Sequence, residues 1–258
     1  MKKFSRAFYI FLVFLFMYAP IIVMMIYSFN DANVATSQWK GFTLKWYSAL
    51  LDNERAMSAL QTTFLVAVVS SIVATVIGTM AAIGIHSMKK SVKNTVMGVT
   101  YIPVLSPDIV TGVSLMLLFT FLRIPLNKYS LLLSHITFNI PYVIISVLPR
   151  LTQFNKNIYE VALDLGAKPA YAYWKVVVPE IMPGIITGFL LAITLSVDDF
   201  VISLFTGGGN LSTYIYSQIK RPNPSINALS TLLFAVIFIL LVVINFRKVN
   251  KEEKTVKY

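Results

Sequence analysis

The chain has 258 residues, 57% of them hydrophobic and 13% charged, with a mean hydropathy of +0.72. An ordinary soluble domain is roughly 45–50% apolar and about 25% charged, and so few charges cannot cover a soluble surface of this size. The composition is that of an integral membrane protein. The net charge of +11, from 22 Lys and Arg against 11 Asp and Glu, would point to nucleic acid in a soluble chain. Here the charges stand in short clusters between long uncharged runs, so they are expected to set orientation. Cysteine is absent and histidine occurs only at His86 and His135, which leaves no disulfide framework, thiolate metal site, cysteine nucleophile or paired-histidine zinc motif. Both histidines are expected to pack or line an interface, and no metal is expected.

The N-terminus, Lys2-Lys3-Phe4-Ser5-Arg6, precedes an uncharged run of 24 residues from 7 to 30. A secretory signal has an apolar region of about 7 to 15 residues and a small-residue cleavage site; this run is longer and has none, so it is expected to remain as a membrane span. A bilayer core about 30 Å thick takes about 20 apolar residues as a helix. Six stretches qualify: 8–29, 62–85, 99–122, 130–148, 185–205 and 229–246. Runs this long without polar alternation exclude barrel strands. The expected fold class is all-α, a polytopic membrane protein with six transmembrane helices in one domain spanning 1–258.

Counting Lys and Arg between the spans sets the orientation. With the N-terminus inside, fifteen lie on the cytoplasmic side, in the groups at Lys2 to Arg6, Lys89 to Lys93, Arg150 to Lys175 and Arg247 to Lys257; seven lie outside, at Lys40, Lys45, Arg55, Arg123, Lys128, Lys220 and Arg221. Both termini are expected in the cytoplasm. The outer segment 30–61 carries Trp39, Phe42, Trp46 and Tyr47 and is expected to hold an interfacial amphipathic helix, with Thr43 as its cap. In the second span, Gly78, Thr79, Ala81, Ala82 and Gly84 form a small-residue face suited to close helix packing.

The third span contains Tyr101-Ile102-Pro103-Val104-Leu105-Ser106-Pro107-Asp108. Ser106 as N-cap, Pro107 at the first helical position and Asp108 in the first turn permit a broken helix whose second half starts inside the membrane. The cytoplasmic segment 150–184 holds good helix formers up to Leu165, with Gly166 placed as a C-terminal glycine of positive φ and Pro169 placed to open a second helix. Pro179 and Pro183 are expected to end that helix, giving a compact helix-turn-helix outside the membrane. Its exposed Tyr159, Tyr171, Tyr173 and Trp174 fit either a docking surface or an amphipathic loop on the inner leaflet. The fifth span carries Asp198 and Asp199, about 20 Å from its cytoplasmic entry at 1.5 Å per residue. Adjacent helical residues diverge by about 100°, so only one is expected to point squarely into a pathway, the other meeting a partner or a serine such as Ser203. The outer segment 206–228, with Gly207-Gly208-Gly209, Pro222 and Pro224, is expected to be mostly turns, and the charged tail from Asn250 to fray.

No Lys or Arg lies within a predicted span to neutralise Asp108, Asp198 or Asp199. A carboxylate near the bilayer centre costs from about 3 kcal/mol on insertion scales, so it normally faces a cavity or a partner. The three acids are therefore expected to be a cation site or neutral carboxylic acids, with dipole complementation the competing role for Asp108.

The segment Glu160-Val161-Ala162, Gly166 and Val176-Val177-Val178-Pro179 resembles the E-A-A, G, I-x-L-P motif of binding-protein-dependent ABC transporter permeases, at the family's spacing and with conservative changes at Val161, Val176 and Val178. Asn30, Thr43-Leu44-Lys45-Trp46-Tyr47 and Ala59-Leu60-Gln61-Thr62-Thr63 look like the same superfamily. Leu195-Ser196-Val197-Asp198-Asp199-Phe200 and the 101–110 segment are similar to its spermidine/putrescine permeases. The resemblance covers essentially the whole chain. It implies a type I ABC importer permease in the bacterial inner membrane, translocating a polyamine by alternating access. Glu160, Ala162, Gly166, Ala167 and Pro179 would lie in the loop that couples to a separate cytoplasmic ATPase. Partners would be a second homologous permease, two ABC ATPase subunits and a periplasmic or extracellular polyamine-binding protein. This chain has no phosphate-loop sequence, so no catalysis and no cofactor are expected in it; ATP and Mg would bind the ATPase subunits. A polyamine needs carboxylates for its ammoniums and aromatic faces for its methylenes. Asp108, Asp198 and Asp199 are the candidate carboxylates, and Trp46, Tyr47, Tyr101 and Phe200 the candidate aromatics, with an interfacial belt or bundle packing as the competing role for each. The rival readings are a permease of the same superfamily for a sugar, amino acid or iron, a membrane-embedded enzyme using Asp198 and Asp199, and a passive channel.

Overall fold

The computed structural model describes residues 2–33, 38–218, 224–235 and 238, and its elements are helical. In order they are α1 (Lys2–Tyr27), α2 (Lys45–Leu51), α3 (Glu54–Ser87), α4 (Lys90–Leu105), α5 (Asp108–Phe121), α6 (Lys128–Gln153), α7 (Lys156–Asp164), α8 (Pro169–Ala172), a π-helical segment (Tyr173–Val177), α9 (Val178–Asp198), α10 (Val201–Thr206), α11 (Leu211–Ser217) and α12 (Ser225–Ala235). Among the described residues four helices are long and apolar enough to cross a membrane, five if α4 and α5 count as one span. The sixth predicted span is described only as far as α12 and Phe238. Lys220, Arg221, Pro222, the group from Arg247 to Lys257 and the tail from Asn250 lie outside the described residues.

The chain divides into two compact units, Met1–Met57 with Ile215–Tyr258, and Ser58–Tyr214. In the first, α1 is apolar and no side chain between Phe8 and Tyr27 is buried. The loop after it closes on itself. The Phe29 carbonyl accepts from Thr43 N–H at 2.8 Å, the Gly41 carbonyl accepts from Asp31 N–H at 2.9 Å, and the Phe29 and Phe42 rings stack at 5.3 Å. The predicted interfacial helix is the seven-residue α2, and the Thr43 hydroxyl accepts from Lys45 N–H at 3.2 Å at its start.

In the second unit, α9 lies against α6 through two glycines one turn apart. A Cβ on Gly184 would stand 3.0 Å from the Ser146 carbonyl oxygen, and one on Gly188 would stand 3.2 Å from Val143 Cα; small residues spaced in this way let helix backbones approach closely. The same Val143 of α6 also meets α3, where a Cβ on Gly78 would stand 2.7 Å from Val143 Cβ. Of the small face expected on α3, Gly78 and the fully buried Ala82 serve this packing, while Gly84 faces open space. Ile85, Val143, Val147, Ile181 and Ala192 complete the core there. A smaller cluster of Leu115, Phe119, Phe138 and Ile202 joins α5, α6 and α10.

The break that the sequence permits in the third span is present: α4 and α5 meet at 104° across Ser106 and Pro107. Proline disfavours helical geometry in the residue before it, and Ser106 is extended with ψ 143°. The Ser106 hydroxyl donates to the Ile102 carbonyl at 2.7 Å, so it closes α4, and Pro107 takes the N-cap position of α5 with no side-chain cap. The fifth span is also broken, between α9 and α10 at Asp199 and Phe200. Finally, Pro179 and Pro183 do not end a helix. The chain runs from Pro169 to Asp198 as one long apolar element, because the π segment, in which Val178 N–H donates to the Tyr173 carbonyl five residues back, precedes the proline. Pro179 then enters in the first turn of α9, directly after the π segment, and Pro183 lies inside α9 without ending it.

Candidate functional site

Both breaks carry the acids. Asp108 is the first residue of α5, at the positive end of the helix dipole, exposed, and its charge reaches the half-buried Tyr142 of α6. Asp198 is the last residue of α9 and exposed. A helix C-terminus ends in carbonyls without internal donors and carries about half a negative charge, so an exposed carboxylate there concentrates negative potential instead of relieving it. Two helix breaks thus present a carboxylate each, one at a helix start, where the dipole offsets its charge, and one at a helix end, where the dipole adds to it.

Asp199 differs. Its backbone is extended, so the 100° divergence expected of two helical neighbours does not apply. Its side chain is 7% exposed and turns into the protein. The carboxylate accepts from Ser203 Oγ at 2.6 Å, Ser203 N–H at 2.8 Å and Ile202 N–H at 3.2 Å. It therefore caps α10, which explains a break that no proline causes: a local acid competes for backbone donors that a continuous helix would use. His135 Nε2 lies 3.1 Å from Ser203 Oγ and 3.5 Å from Asp199 Oδ2. Since the Ser203 hydroxyl donates to Asp199, Nε2 is the donor in this cluster. Asn210 Nδ2 donates to the Asp199 carbonyl at 3.0 Å and to Ser203 Oγ at 2.9 Å. The expected contact with Ser203 is present, whereas His135, expected to pack, is a polar member of a buried network.

A second polar contact set lies one turn away. Asn139 Nδ2 donates to Ser196 Oγ at 2.7 Å, and Ser196 shares a hydrogen bond with Ser70 Oγ at 3.2 Å. It ties α3, α6 and α9 together with uncharged groups.

The network gives Asp199 and Asp198 separable roles. Asp199→Ala is expected to destabilise the chain by about 3 kcal/mol, the cost of breaking a buried pair, and to lower its thermal midpoint by roughly 5–10 °C. Asp198→Ala should leave that midpoint within a degree or two. Thermal unfolding in one detergent, monitored by circular dichroism, checks both; equal midpoints would remove the capping role.

Of the candidate aromatics, Trp46 and Tyr47 belong to the first unit and are engaged there. Trp46 Nε1 donates to the Asn30 carbonyl at 2.8 Å, and the Lys45 ammonium sits 4.7 Å from its ring centroid while also pairing with Asp31. The Tyr47 hydroxyl bonds Ser28 Oγ at 2.7 Å. In the second unit, Tyr101 is exposed on α4 and Phe200 is half-buried beside the break.

The loop segment forms as a helix, a turn and a helix start. The Asn155 side chain accepts from Asn157 N–H at 3.1 Å to open α7. At its other end Gly166 N–H donates to the Leu163 carbonyl at 2.8 Å and Ala167 N–H to the Ala162 carbonyl at 3.1 Å, a Schellman closure. It places Gly166 at φ +87°, as the sequence implied. Pro169 opens α8. Tyr159 and Tyr173, expected to be exposed, instead pack edge to face at 6.1 Å and rest on the core. The outward face is apolar: Ile158, Val161, Leu165, Tyr171 and Trp174, with Trp174 70% exposed. Glu160, Gly166 and Pro179 are exposed, and Ala162 and Ala167 half-buried.

Residues 74–248 match the family of binding-protein-dependent transport system inner membrane components. The chain is 38% identical over 234 residues to the spermidine/putrescine transport system permease protein PotC of Escherichia coli K12, covering 89% of this chain and 88% of that protein. It is 35% identical over 238 residues to the putrescine transport system permease protein PotI of the same organism, covering 88% and 84%. In fold it is similar to a chain of a bacterial ABC transporter involved in import of the acidic polysaccharide alginate, with a TM-score of 0.72, 13% identity and 95% of each chain covered.

Proposed function

The chain belongs to the family of binding-protein-dependent transport system inner membrane components, the membrane subunits of ABC importers, and from that premise we propose that it carries polyamines across the bacterial inner membrane. Like other members of the family it works with an ATPase and a substrate-binding protein. In our reading the complex holds a second, homologous permease, two ATPase subunits that bind ATP and Mg, and a periplasmic or extracellular binding protein that delivers spermidine or putrescine. Both termini are cytoplasmic. The two permeases rock between inward-open and outward-open states as the ATPases close, driven through the segment from Asn155 to Pro179.

The observation that carries the substrate class is the pair of exposed carboxylates at helix breaks, Asp108 and Asp198. A long polycation offers ammoniums separated by methylenes, and it matches acids held apart on rigid helix ends better than a sugar or a zwitterion does. The relatives named for spermidine and putrescine transport support the same class. Asp199 supports the site from behind by fixing the α9–α10 break that ends α9 at Asp198.

The test is uptake by the assembled complex in proteoliposomes with its binding protein. Labelled spermidine and putrescine are expected to accumulate in an ATP-dependent manner, while maltose, methionine and ferric iron are not. Accumulation of one of those solutes, with none of the polyamines, would replace polyamine by that solute and leave the permease assignment standing. ATP-independent leakage of all of them would mark a passive channel.

A further inference from the structure

The face of α4 that looks toward α6 is not closed. Val96, Val99 and Pro103 on α4 stand opposite Ile140 and Ile144 on α6 across a cavity of about 390 Å³ whose lining is almost wholly apolar. It opens sideways, since Val99 is 62% exposed. Lys93 lies three, seven and ten residues before Val96, Thr100 and Pro103, on the same helical face, and is half-buried at the end of the groove.

That end is basic. Lys89 and Lys90 are exposed at the start of α4, and the charges of Lys93 and of Lys156, at the start of α7, both reach the His86 ring at the end of α3. Among the described residues the ion pairs are Lys45 with Asp31 and His135 with Asp199, so no described carboxylate neutralises these four lysines. The dimensions suit a lipid: ten residues of α4 from Lys93 to Pro103 rise about 15 Å, half of a hydrocarbon core about 30 Å thick. Basic pockets between membrane helices accept anionic headgroups, and this one continues into an apolar groove one leaflet deep.

We propose that the α4–α6 groove binds an anionic phospholipid, its phosphate held by Lys89, Lys90 and Lys93 and one acyl chain laid along Val96, Val99 and Pro103. None of the residues that line the groove belongs to the α9–α10 break, and the site does not depend on which solute the complex moves. It would brace α4, the half-span that leads to Asp108, against α6.

The assembled permease–ATPase complex is placed in nanodiscs of phosphatidylcholine containing a graded fraction of phosphatidylglycerol, and the tightly held lipid is identified by native mass spectrometry. Phosphatidylglycerol is expected to be retained over phosphatidylcholine. The triple change Lys89→Gln, Lys90→Gln, Lys93→Gln should weaken retention by about 100-fold, about fivefold per lysine. Val99→Trp, which fills the groove and leaves every charge in place, should also abolish it. Inorganic phosphate alone should not displace the lipid. Retention unchanged in both variants overturns the site, and loss in the charge variant alone overturns the acyl seat. Displacement by inorganic phosphate would mean a plain anion site, and release of the second permease by Val99→Trp would mean that a protein helix, not a lipid, fills the groove; either result overturns the proposal.

Discussion

Uptake of spermidine by the double variant Asp108→Asn, Asp198→Asn is expected to fall about 1,000-fold at limiting substrate, with the complex still assembled and folded. A hydrogen-bonded charge pair is worth about 2 kcal/mol, or about 30-fold in binding, and two such contacts on separate ammoniums multiply. Asparagine keeps the shape of aspartate, and among the described residues neither side chain has a hydrogen-bond partner, so stability should be unchanged. Each single variant should raise the apparent KM about 30-fold, with kcat less affected, because the lost contact is made in the bound ground state as well as in passage. Asp198→Glu, which restores the charge on a longer arm, should recover part of the loss. The measurement is initial-rate uptake in proteoliposomes with saturating binding protein, alongside a thermal melt of each variant. Wild-type kinetics in the double variant would remove both acids from the pathway, and an equal loss in Asp198→Asn and Asp198→Glu would show that packing, not charge, matters there.

The expectation for Asp199 is different because of information a one-dimensional pattern does not contain. Two adjacent acids look equivalent in the sequence. What separates them is His135, 64 residues upstream, and Asn210, 11 residues downstream, which reach the same point only after α6, α10 and α11 have packed. A local signal did exist: an acid followed within four residues by Ile202 and Ser203 amides it can cap is an N-cap pattern. It was hidden because the run from 185 to 205, even with its two acids, satisfied the length of a span. The third span was more legible, since the Ser106-Pro107 step forces extended backbone before a proline; only the cap was misplaced by one residue, because Ser106 spends its hydroxyl on Ile102. Pro179 and Pro183 misled in the other direction. Pro179 directly follows the π turn and Pro183 lies inside α9, and the helix continues past both with a donor missing at each, because packing outweighs a lost backbone hydrogen bond there. The apolar spans and the Gly166 turn depend on composition and local backbone geometry, so they were readable; pairing between distant polar groups was not.

The Gly166 turn allows the sharpest test of the loop's role. Gly166 sits at φ +87° with no heavy atom within 4 Å of an added Cβ, so a substitution there acts through backbone conformation and not through packing. A left-handed residue with a side chain costs about 1–2 kcal/mol, more for a β-branched one, and asparagine tolerates the region best after glycine. Gly166→Val should therefore shift the turn away from its Schellman geometry in most molecules, about 10-fold in population. The two hydrogen bonds to Leu163 and Ala162 open, and α7 reorients against α8 and the π segment. If that angle transmits ATPase closure into α9, uptake should drop at least about 10-fold while ATP hydrolysis persists without stimulation by the loaded binding protein. Gly166→Asn should keep more than half of wild-type uptake. The hydrophobic face of Ile158, Val161 and Leu165 is unaltered in both variants, so co-purification with the ATPase should be retained, which separates loss of coupling from loss of docking. Normal uptake in Gly166→Val would show that the turn's geometry is not transmitted. Equal damage in Gly166→Asn and Gly166→Val, with both complexes intact, would assign the effect to the side chain at that exposed position and not to the left-handed backbone.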